Sequence, residues 1–312
     1  MNTFFTNFKL IIYQLIFNMK YLLSNKWNFL FLFIPVLISS LIVVVLIPEY
    51  TGFSVILLIA LIPTLGLLFS TLSFNVRNST IYNNIAVSNS NKYNFNIAIF
   101  ISMVLFAIFV LLTLLILLTI YSKLQVLETI WFKYDYENYY FIFFNKAIWV
   151  AIISSIEIAS IMFSFSFFYS KSSSSEKGYY IIIIIFTILS CFFGGAFNSY
   201  FWPRSNDIGT KYMNFETSVF PKSAFIPSLL FPFYAPAQLS TIFGEYSLRG
   251  MNGDIGFHNS WAYIGSIKWQ TITNVPKSYY DSIWRWNTVL ILPMVWVFLF
   301  GSLGIITSKI KR

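Results

Sequence analysis

Residues 75–96, with the sequence NVRNSTIYNNIAVSNSNKYNFN, form a short polar stretch between two long apolar runs. Asparagine, serine and threonine dominate the stretch, and Arg77 and Lys92 are its charged residues. Each flanking run, 53–74 and 97–121, is long enough to cross a hydrocarbon core about 30 Å thick. If both runs lie in a membrane, residues 75–96 form a tight loop on one side of it, where a soluble partner has access.

The composition is typical of a membrane protein. Of 312 residues, 57% are hydrophobic and 10% are charged, and the mean hydropathy is +0.72, whereas a soluble domain carries about 25% charged residues. The single cysteine, Cys191, excludes an intramolecular disulfide, and the single histidine, His258, argues against a metal site built from His and Cys clusters. The sequence therefore predicts an all-α polytopic membrane protein.

Residues 2–24 have the pattern of an amphipathic helix at the membrane surface. At 100° per residue, ten apolar side chains share one arc of about 140°: Phe4, Phe5, Phe8, Ile11, Ile12, Leu15, Ile16, Met19, Leu22 and Leu23. Polar residues fall outside this arc: Asn7, Lys9, Gln14, Asn18 and Lys20. We expect an interfacial helix with its lysines toward lipid headgroups. The alternative, a tilted first span, would place many polar groups in the membrane.

Six further segments are apolar and long enough to be membrane spans: 27–47, 53–74, 97–121, 147–169, 179–199 and 283–307. Pro35, Pro63 and Pro293 are tolerated inside them where neighbouring helices satisfy the freed carbonyls. With the N-terminus inside, ten lysines and arginines lie in cytosolic segments and only Glu176 opposes them. Lys and Arg in short loops mark the cytoplasmic side, so both termini are expected to be cytoplasmic in a multi-pass protein of the cell membrane.

Two segments are expected outside the cell, 122–145 and the larger 200–282. The proline-rich patch 218–243 is an improbable lipid-exposed span and predicts a re-entrant or interfacial hairpin. Residues 250–276 alternate between polar and apolar, which predicts a small extracellular insertion with a strand pair. On the cytosolic side, the composition of residues 170–178 predicts a flexible linker. The predicted division is 1–24 for the interfacial helix, 25–199 for five spans, 200–282 for the extracellular segment, and 283–312 for the last span and a basic tail.

Glu157 is the ionisable residue deep inside a predicted span. A charge at the bilayer centre costs about 2.5–3.5 kcal/mol on insertion scales, so the position indicates function or an interhelical contact. Ser154, Ser160 and Ser164 share its face and extend it into a polar stripe, which lines either a translocation path or a helix interface. The alternative is a neutral Glu157 that is hydrogen-bonded inside the bundle. Glycines at 194–195, 301 and 304 predict close helix packing.

The layout resembles the permease subunit of type-2 ABC exporters, which has an interfacial helix, six spans, a polar loop after the second span and an outer hairpin before the sixth. In that family the loop carries a Gly-Thr pair, an apolar stretch and a Pro-apolar-Ser turn. Here Ser79 and Thr80 stand in place of Gly-Thr, and Ser88 stands in place of the proline. Arg77 precedes the pair where the family has acidic residues.

The resemblance implies that a short helix in the 75–96 loop docks into a separate ABC ATPase chain. Residues assigned to this ATPase-coupling loop are Arg77, Ser79, Thr80, Ile81, Ile85, Ser88, Ser90 and Lys92. Ser79 or Thr80 would cap the helix, and Ile81 and Ile85 would form its apolar edge. Arg77 would pair with an acidic residue of the ATPase.

The resemblance also implies a homodimer or a heterodimer with a similar permease. This chain has no Gly-rich sequence followed by Lys-Ser or Lys-Thr, so ATP and Mg²⁺ are expected in the partner and no cofactor in this chain. The basic surplus indicates membrane lipids and topology rather than nucleic acid.

Two other functions stay open at this point. A membrane-embedded enzyme acting on lipids would need convergent groups such as Glu157, Glu128, Asp135 or His258. Residues 254 and 258, an acid and a histidine in a Gly-rich outer turn, have no nucleophile marked nearby. A scaffold or secretion accessory protein would bind its partner through the 200–282 segment.

Overall fold

The computed structural model describes residues 2–24, 26–45, 53–72, 92–123, 148–172, 175–193, 231–233, 235–237 and 282–310. The long elements within these ranges are all α-helices: α1 Asn2–Ser24, α2 Lys26–Val45, α3 Phe53–Ser70, α4 Lys92–Lys123, α5 Ile148–Ser172, α6 Glu176–Phe193 and α7 Ser282–Ile310. The predicted all-α class is therefore confirmed for this part of the chain. Each predicted span coincides with one of the helices α2–α7, and the predicted interfacial segment coincides with α1.

Several predictions concern residues outside the described ranges. These are most of the extracellular segment at 122–145, the glycines at 194–195, the strand pair within 250–276, and the candidate groups Glu128, Asp135, Asp254 and His258.

Two helical stretches, Asn94–Ile120 in α4 and Ala151–Ser172 in α5, are long and apolar enough to cross a membrane by length and composition. Shorter apolar stretches lie in α2, α3 and α7, at Leu32–Leu41, Ile56–Ser70 and Ile291–Thr307. The side chains that these helices expose are also largely isoleucine, leucine and phenylalanine. Exposed apolar surface of this extent marks a membrane or protein contact, so the helices indicate membrane association.

Helix α3 lies at the centre of the bundle. It is apolar on all sides, which is the pattern of a fully buried helix, and it packs on α2, α4, α5 and α6. Ile56, Leu61, Leu65 and Leu72 are completely buried along its length. At Gly66 an added Cβ would lie 2.9 Å from Cγ2 of Ile183 on α6, so glycine at this position lets the two helices approach closely.

The helices alternate in direction. Thr71 at the end of α3 reaches Asn28 at the start of α2, and Ser70 reaches Glu176 at the start of α6. Phe163, near the end of α5, contacts both Phe69 near the end of α3 and Phe100 near the start of α4. The starts of α2, α4 and α6 and the ends of α3 and α5 therefore meet at one end of the bundle, which we call the loop end.

Helix α1 packs against α4 and α2 and has three environments around its circumference. Asn18 and Leu22 are buried against the bundle. Lys9 and Lys20 are exposed on the opposite side. An exposed apolar side lies between them, formed by Phe8, Ile12, Ile16 and Leu23. Asn18, which lies outside the apolar arc, therefore faces protein rather than the surroundings of the bundle, because a helix beside a bundle meets both.

Two boundaries differ from the sequence prediction. α4 begins at Lys92, so 92–96 belong to a helix rather than to the loop. Most of the linker predicted at 170–178 is helical, because α5 runs on to Ser172 and α6 begins at Glu176. The hydroxyl of Ser172 donates to the carbonyl of Tyr169 at 3.0 Å, within the last turn of α5, a local bond that serine forms readily with the helix backbone.

The start of α6 has the features of a capped helix. The Ser175 hydroxyl oxygen accepts a hydrogen bond from the backbone N–H of Gly178 at 3.1 Å, as a serine N-cap does. Glu176 lies in the first turn, where a carboxylate interacts favourably with the positive end of the helix dipole. This cap places the Glu176 side chain at the loop end.

Candidate functional site

Most of the predicted coupling loop lies outside the described residues: Arg77, Ser79, Thr80, Ile81, Ile85, Ser88 and Ser90. Lys92 is the first residue of α4. The structure does describe the two roots of this loop, the turn at Thr71 and Leu72 that follows α3 and the start of α4. A layer of polar side chains surrounds these roots and forms the candidate site.

A three-residue cluster joins α3 to α6. The Tyr180 hydroxyl donates to Oε1 of Glu176 at 2.7 Å, and Ser70 Oγ lies 2.7 Å from the Tyr180 hydroxyl and 3.1 Å from the same carboxylate oxygen. The two hydroxyls supply two protons for these three contacts. The shortest set is Tyr180 donating to Glu176 and Ser70 donating to Tyr180, which leaves no proton for the 3.1 Å contact between Ser70 and Glu176.

Helix geometry explains why these three side chains meet. Glu176 and Tyr180 are four residues apart and share one face of α6. Ser70 is four residues after Gly66, so both lie on the face of α3 that meets α6. Close packing of Gly66 on Ile183 brings the antiparallel helices near enough for the short Ser70 side chain to reach its partners.

A second set of contacts joins α3 to α2 at the same level. Beyond Ser70 the helix widens into a π-type turn at Thr71 and Leu72, a feature that often occurs at functional positions. The Thr71 hydroxyl lies 3.1 Å from the Leu67 carbonyl and 3.5 Å from Oδ1 of Asn28. The Nδ2 atom of Asn28 is buried and has no hydrogen-bond partner.

The start of α4, the other root of the loop, is tied to α1. Asn94 is buried, and its Nδ2 donates to Oδ1 of Asn7 at 3.2 Å. Further along α1, Asn18 is fully buried, with neither amide atom hydrogen-bonded. The N-terminal helix therefore presents amide groups to the bundle close to the loop.

The ends of α5 and α6 are joined by tyrosines. Tyr179 is completely buried and its hydroxyl pairs with the hydroxyl of Ser166 on α5. The Tyr169 hydroxyl donates to the Ser175 carbonyl at 3.2 Å, and its ring lies 5.3 Å from that of Tyr179. These contacts tie the end of α5 to the start of α6, because each tyrosine combines ring packing with a hydrogen-bonded hydroxyl.

The stripe predicted on α5 is not one connected group. Ser160 and Ser164 donate to carbonyls of their own helix, at 2.7 Å and 2.9 Å. Ser154 is buried and donates to the Pro236 carbonyl at 2.7 Å. Glu157 is half-buried, and its Oε2 atom is buried without a partner. The residues share one side of α5, as expected, but each meets a different environment.

No group of three or more His, Cys, Asp or Glu side chains that could hold a metal ion occurs within the described ranges. The loop-end layer is instead built from hydroxyls, amides and one carboxylate, and its chemistry is that of helix-to-helix hydrogen bonding.

Sequence reasoning missed this layer. Glu176 did stand out as the single acid opposing ten bases in the predicted cytosolic segments, and that asymmetry was the available clue. Its partner Ser70 lies more than a hundred residues away in sequence, so only tertiary structure connects them. Comparison of the chain with protein-family models, curated proteins and solved structures finds no match.

Proposed function

We propose that the chain is the membrane permease subunit of an ATP-driven exporter of the type-2 ABC kind. In this proposal α2–α7 cross the cell membrane, α1 lies at the cytoplasmic interface, and both termini are cytoplasmic. Two copies, or one copy with a similar chain, enclose the path, and separate ATPase chains carry ATP and Mg²⁺. The observation that supports this best is the loop end, where the roots of residues 73–91 are hydrogen-bonded to the neighbouring helices.

A force applied to the loop has a direct mechanical route into the bundle. On one side the loop continues into α3, which is bonded to α6 through Ser70 and to α2 through Thr71. On the other side it continues into α4, which is bonded to α1 through Asn94. Because packed interiors are close to crystal density and resist compression, displacement of α3 is shared by the helices around it. Rigid-body rocking of such a bundle is one way in which access alternates.

The short segment 231–237 supports a re-entrant arrangement on the other side of the bundle. Phe233 and Ala237 are completely buried, and the Phe233 ring lies 6.1 Å from that of Phe186 on α6. Ser154, which holds the Pro236 carbonyl, is six residues into α5, or about 9 Å from its start at 1.5 Å per residue. These contacts support the proposal that the segment enters the bundle from the extracellular side and packs against α5 and α6.

The test is purification of the tagged chain from its native membrane. We expect a P-loop ATPase to co-purify and its ATPase activity to rise on reconstitution with the chain. The double variant I81E/I85E should lose the ATPase, because charge on the apolar edge of the loop opposes docking. The matched control N83Q/N84Q, in the same loop, should retain it. If no P-loop ATPase accompanies the folded wild-type chain, the proposal is wrong.

Orientation is tested separately in a C191S background. A cysteine placed in the loop as S79C should react with a membrane-impermeant thiol reagent only after the cells are permeabilised. H258C, in the proposed extracellular segment, is the positive control and should react in intact cells. Labelling of S79C in intact cells would contradict a cytoplasmic loop. The same result would contradict the transport proposal, which requires the loop to face a cytoplasmic ATPase.

A further inference from the structure

The face by which α1 packs on the bundle has amide side chains at its centre. At 100° per residue, Asn7, Gln14 and Asn18 fall within an arc of about 40°. Asn18 and Leu22, one turn further on, are 0% and 1% exposed, so this side of α1 is the one that meets α4 and α2. We call the three residues Asn7, Gln14 and Asn18 the amide stripe.

The amide stripe is hydrogen-bonded at one end and not at the other. Asn94 on α4 donates from Nδ2 to Oδ1 of Asn7 at 3.2 Å. Within the described part of the chain, both amide atoms of Asn18 and the Oε1 atom of Gln14 are buried without a hydrogen-bond partner. Burying an unpaired amide costs free energy, which contact with water would return. Packing of α1 on the bundle is therefore opposed at Asn18.

Other contacts of α1 favour the packed position. Leu22 belongs to the hydrophobic core, and Met19 and Tyr21 pack against that core. Burial of these apolar groups stabilises the contact, and the Asn7–Asn94 hydrogen bond adds to it. The buried amide of Asn18 offsets part of this gain. A helix that stayed in place permanently would be more stable with an apolar side chain at position 18.

The sequence pattern of α1 fits a second position. Its ten apolar residues share an arc of about 140° that leaves out the amide stripe. In the packed position this arc is divided, because Leu22 faces protein whereas Ile16 is 44% exposed. If α1 rolled off α4 onto the membrane surface, the whole arc would face acyl chains and the amide stripe would reach water. Lys9 and Lys20, at the other edge of the arc, would then reach anionic headgroups.

We propose that α1 is a releasable strap with two positions. In the docked position, which the structure shows, α1 packs on α4. In the released position it lies in the headgroup layer with its amide stripe in water. Docking buries Leu22 and forms the Asn7–Asn94 hydrogen bond, whereas release hydrates Asn18 and places the full apolar arc on lipid. Because these gains oppose each other, a small change in either one shifts the populations of the two positions.

The strap acts on one root of the 73–91 segment. Asn94 lies two residues after Lys92, where α4 begins, so docked α1 holds the start of α4. Release breaks the hydrogen bond between Asn7 and Asn94 and leaves the contact of Ser70 on α3 with Tyr180 on α6 unchanged. The root at α3 is thus held in both positions of α1, whereas the root at α4 is held only in the docked one. The strap belongs to the chain itself and requires no ATPase.

The first test measures the position of α1 by pulsed electron paramagnetic resonance on the full chain in lipid nanodiscs, in a C191S background. Spin labels at Y13C and I184C report α1 against α6, and both positions are exposed, at 69% and 59%. We expect two distances, one for each position of α1. N18L should raise the ratio of docked to released chains by about tenfold, because leucine has no amide to hydrate. The pair L105C/I184C, within the bundle, should show one distance.

N7L is the matched control for N18L. It places the same leucine in the same helix, with the same gain in apolarity and helix propensity. It also removes the acceptor of the Asn94 hydrogen bond and leaves that buried amide unpaired. N7L should therefore lower the docked fraction, whereas N18L raises it. Shifts in the same direction, or no shift in either variant, would overturn the strap.

The second test is thermal unfolding of the same two variants without spin labels. N18L should raise the melting temperature by about 2–4 °C, and N7L should lower it by a similar amount. A lower melting temperature for N18L would show that the Asn18 amide stabilises the docked position. That result would refute the proposal, because the opposition to docking would then be absent.

Discussion

Helices α3 and α7 look alike in sequence and occupy opposite environments. Each is strongly apolar, each contains one internal proline, Pro63 or Pro293, and each uses a glycine for close packing. Yet α3 is surrounded by four helices, whereas α7 packs chiefly on α5 and exposes large apolar side chains, with Met294 at 69% and Phe298 at 77%. The comparison teaches that hydrophobicity places both helices in an apolar environment and does not distinguish lipid from protein.

The largest expected effect is the difference in stability loss when one large side chain is truncated in α3 and one in α7. L61A in α3 should destabilise the protein by about 2–5 kcal/mol, because Leu61 is completely buried and its removal leaves a cavity. F298A in α7 should change stability by about 0.5 kcal/mol or less, as exposed positions do. Unfolding of the two variants in the same detergent measures both. Comparable losses would mean that α7 is buried as deeply as α3.

The next effect concerns the polar link from α3 to α6. Y180F removes the hydroxyl that donates to Glu176 and contacts Ser70, and it should cost about 1–2 kcal/mol, since the carboxylate is partly exposed and water compensates in part. T113A is the control, because the Thr113 hydroxyl bonds only within its own helix. If Y180F unfolds no more readily than T113A, the cluster does not stabilise the loop end.

The smallest effect compares two glycines on α7. G304A forces a Cβ against Phe167 and the Phe168 backbone, an overpacking that outweighs the gain in helix propensity and should cost about 1 kcal/mol net. G301A meets nothing within 4 Å and should instead stabilise the helix by up to about 1 kcal/mol. Opposite signs in thermal unfolding would confirm the close packing of α7 on α5 at Gly304, and matching signs would contradict it.

The positions of the helices were predictable because each depends on a local pattern. Long apolar runs placed α2–α7 within a few residues, and the 3.6-residue period placed α1. Errors occurred at two helix ends in polar sequence, at Lys92, where α4 begins, and at Ser172, where α5 ends. At Ser172 the side-chain hydroxyl bonds to the backbone of its own helix. Two glycines of α7 were expected to allow close helix packing, and Gly304 does so whereas Gly301 does not. Hydropathy alone cannot tell these two glycines apart.

The sequence by itself determined a chain of apolar helices, with an amphipathic helix first. Both features follow from local patterns, since apolar runs and the helical period can be recognised from consecutive residues. Only the tertiary structure decided that Ser70 meets Tyr180 and Glu176, that Asn18 is buried, and that Phe300 and Gly304 pack on Phe168. These pairings depend on which faces of distant helices meet. That choice is made by packing at close approaches such as Gly66 on Ile183, and packing is a property of pairs of helices rather than of any one stretch of sequence.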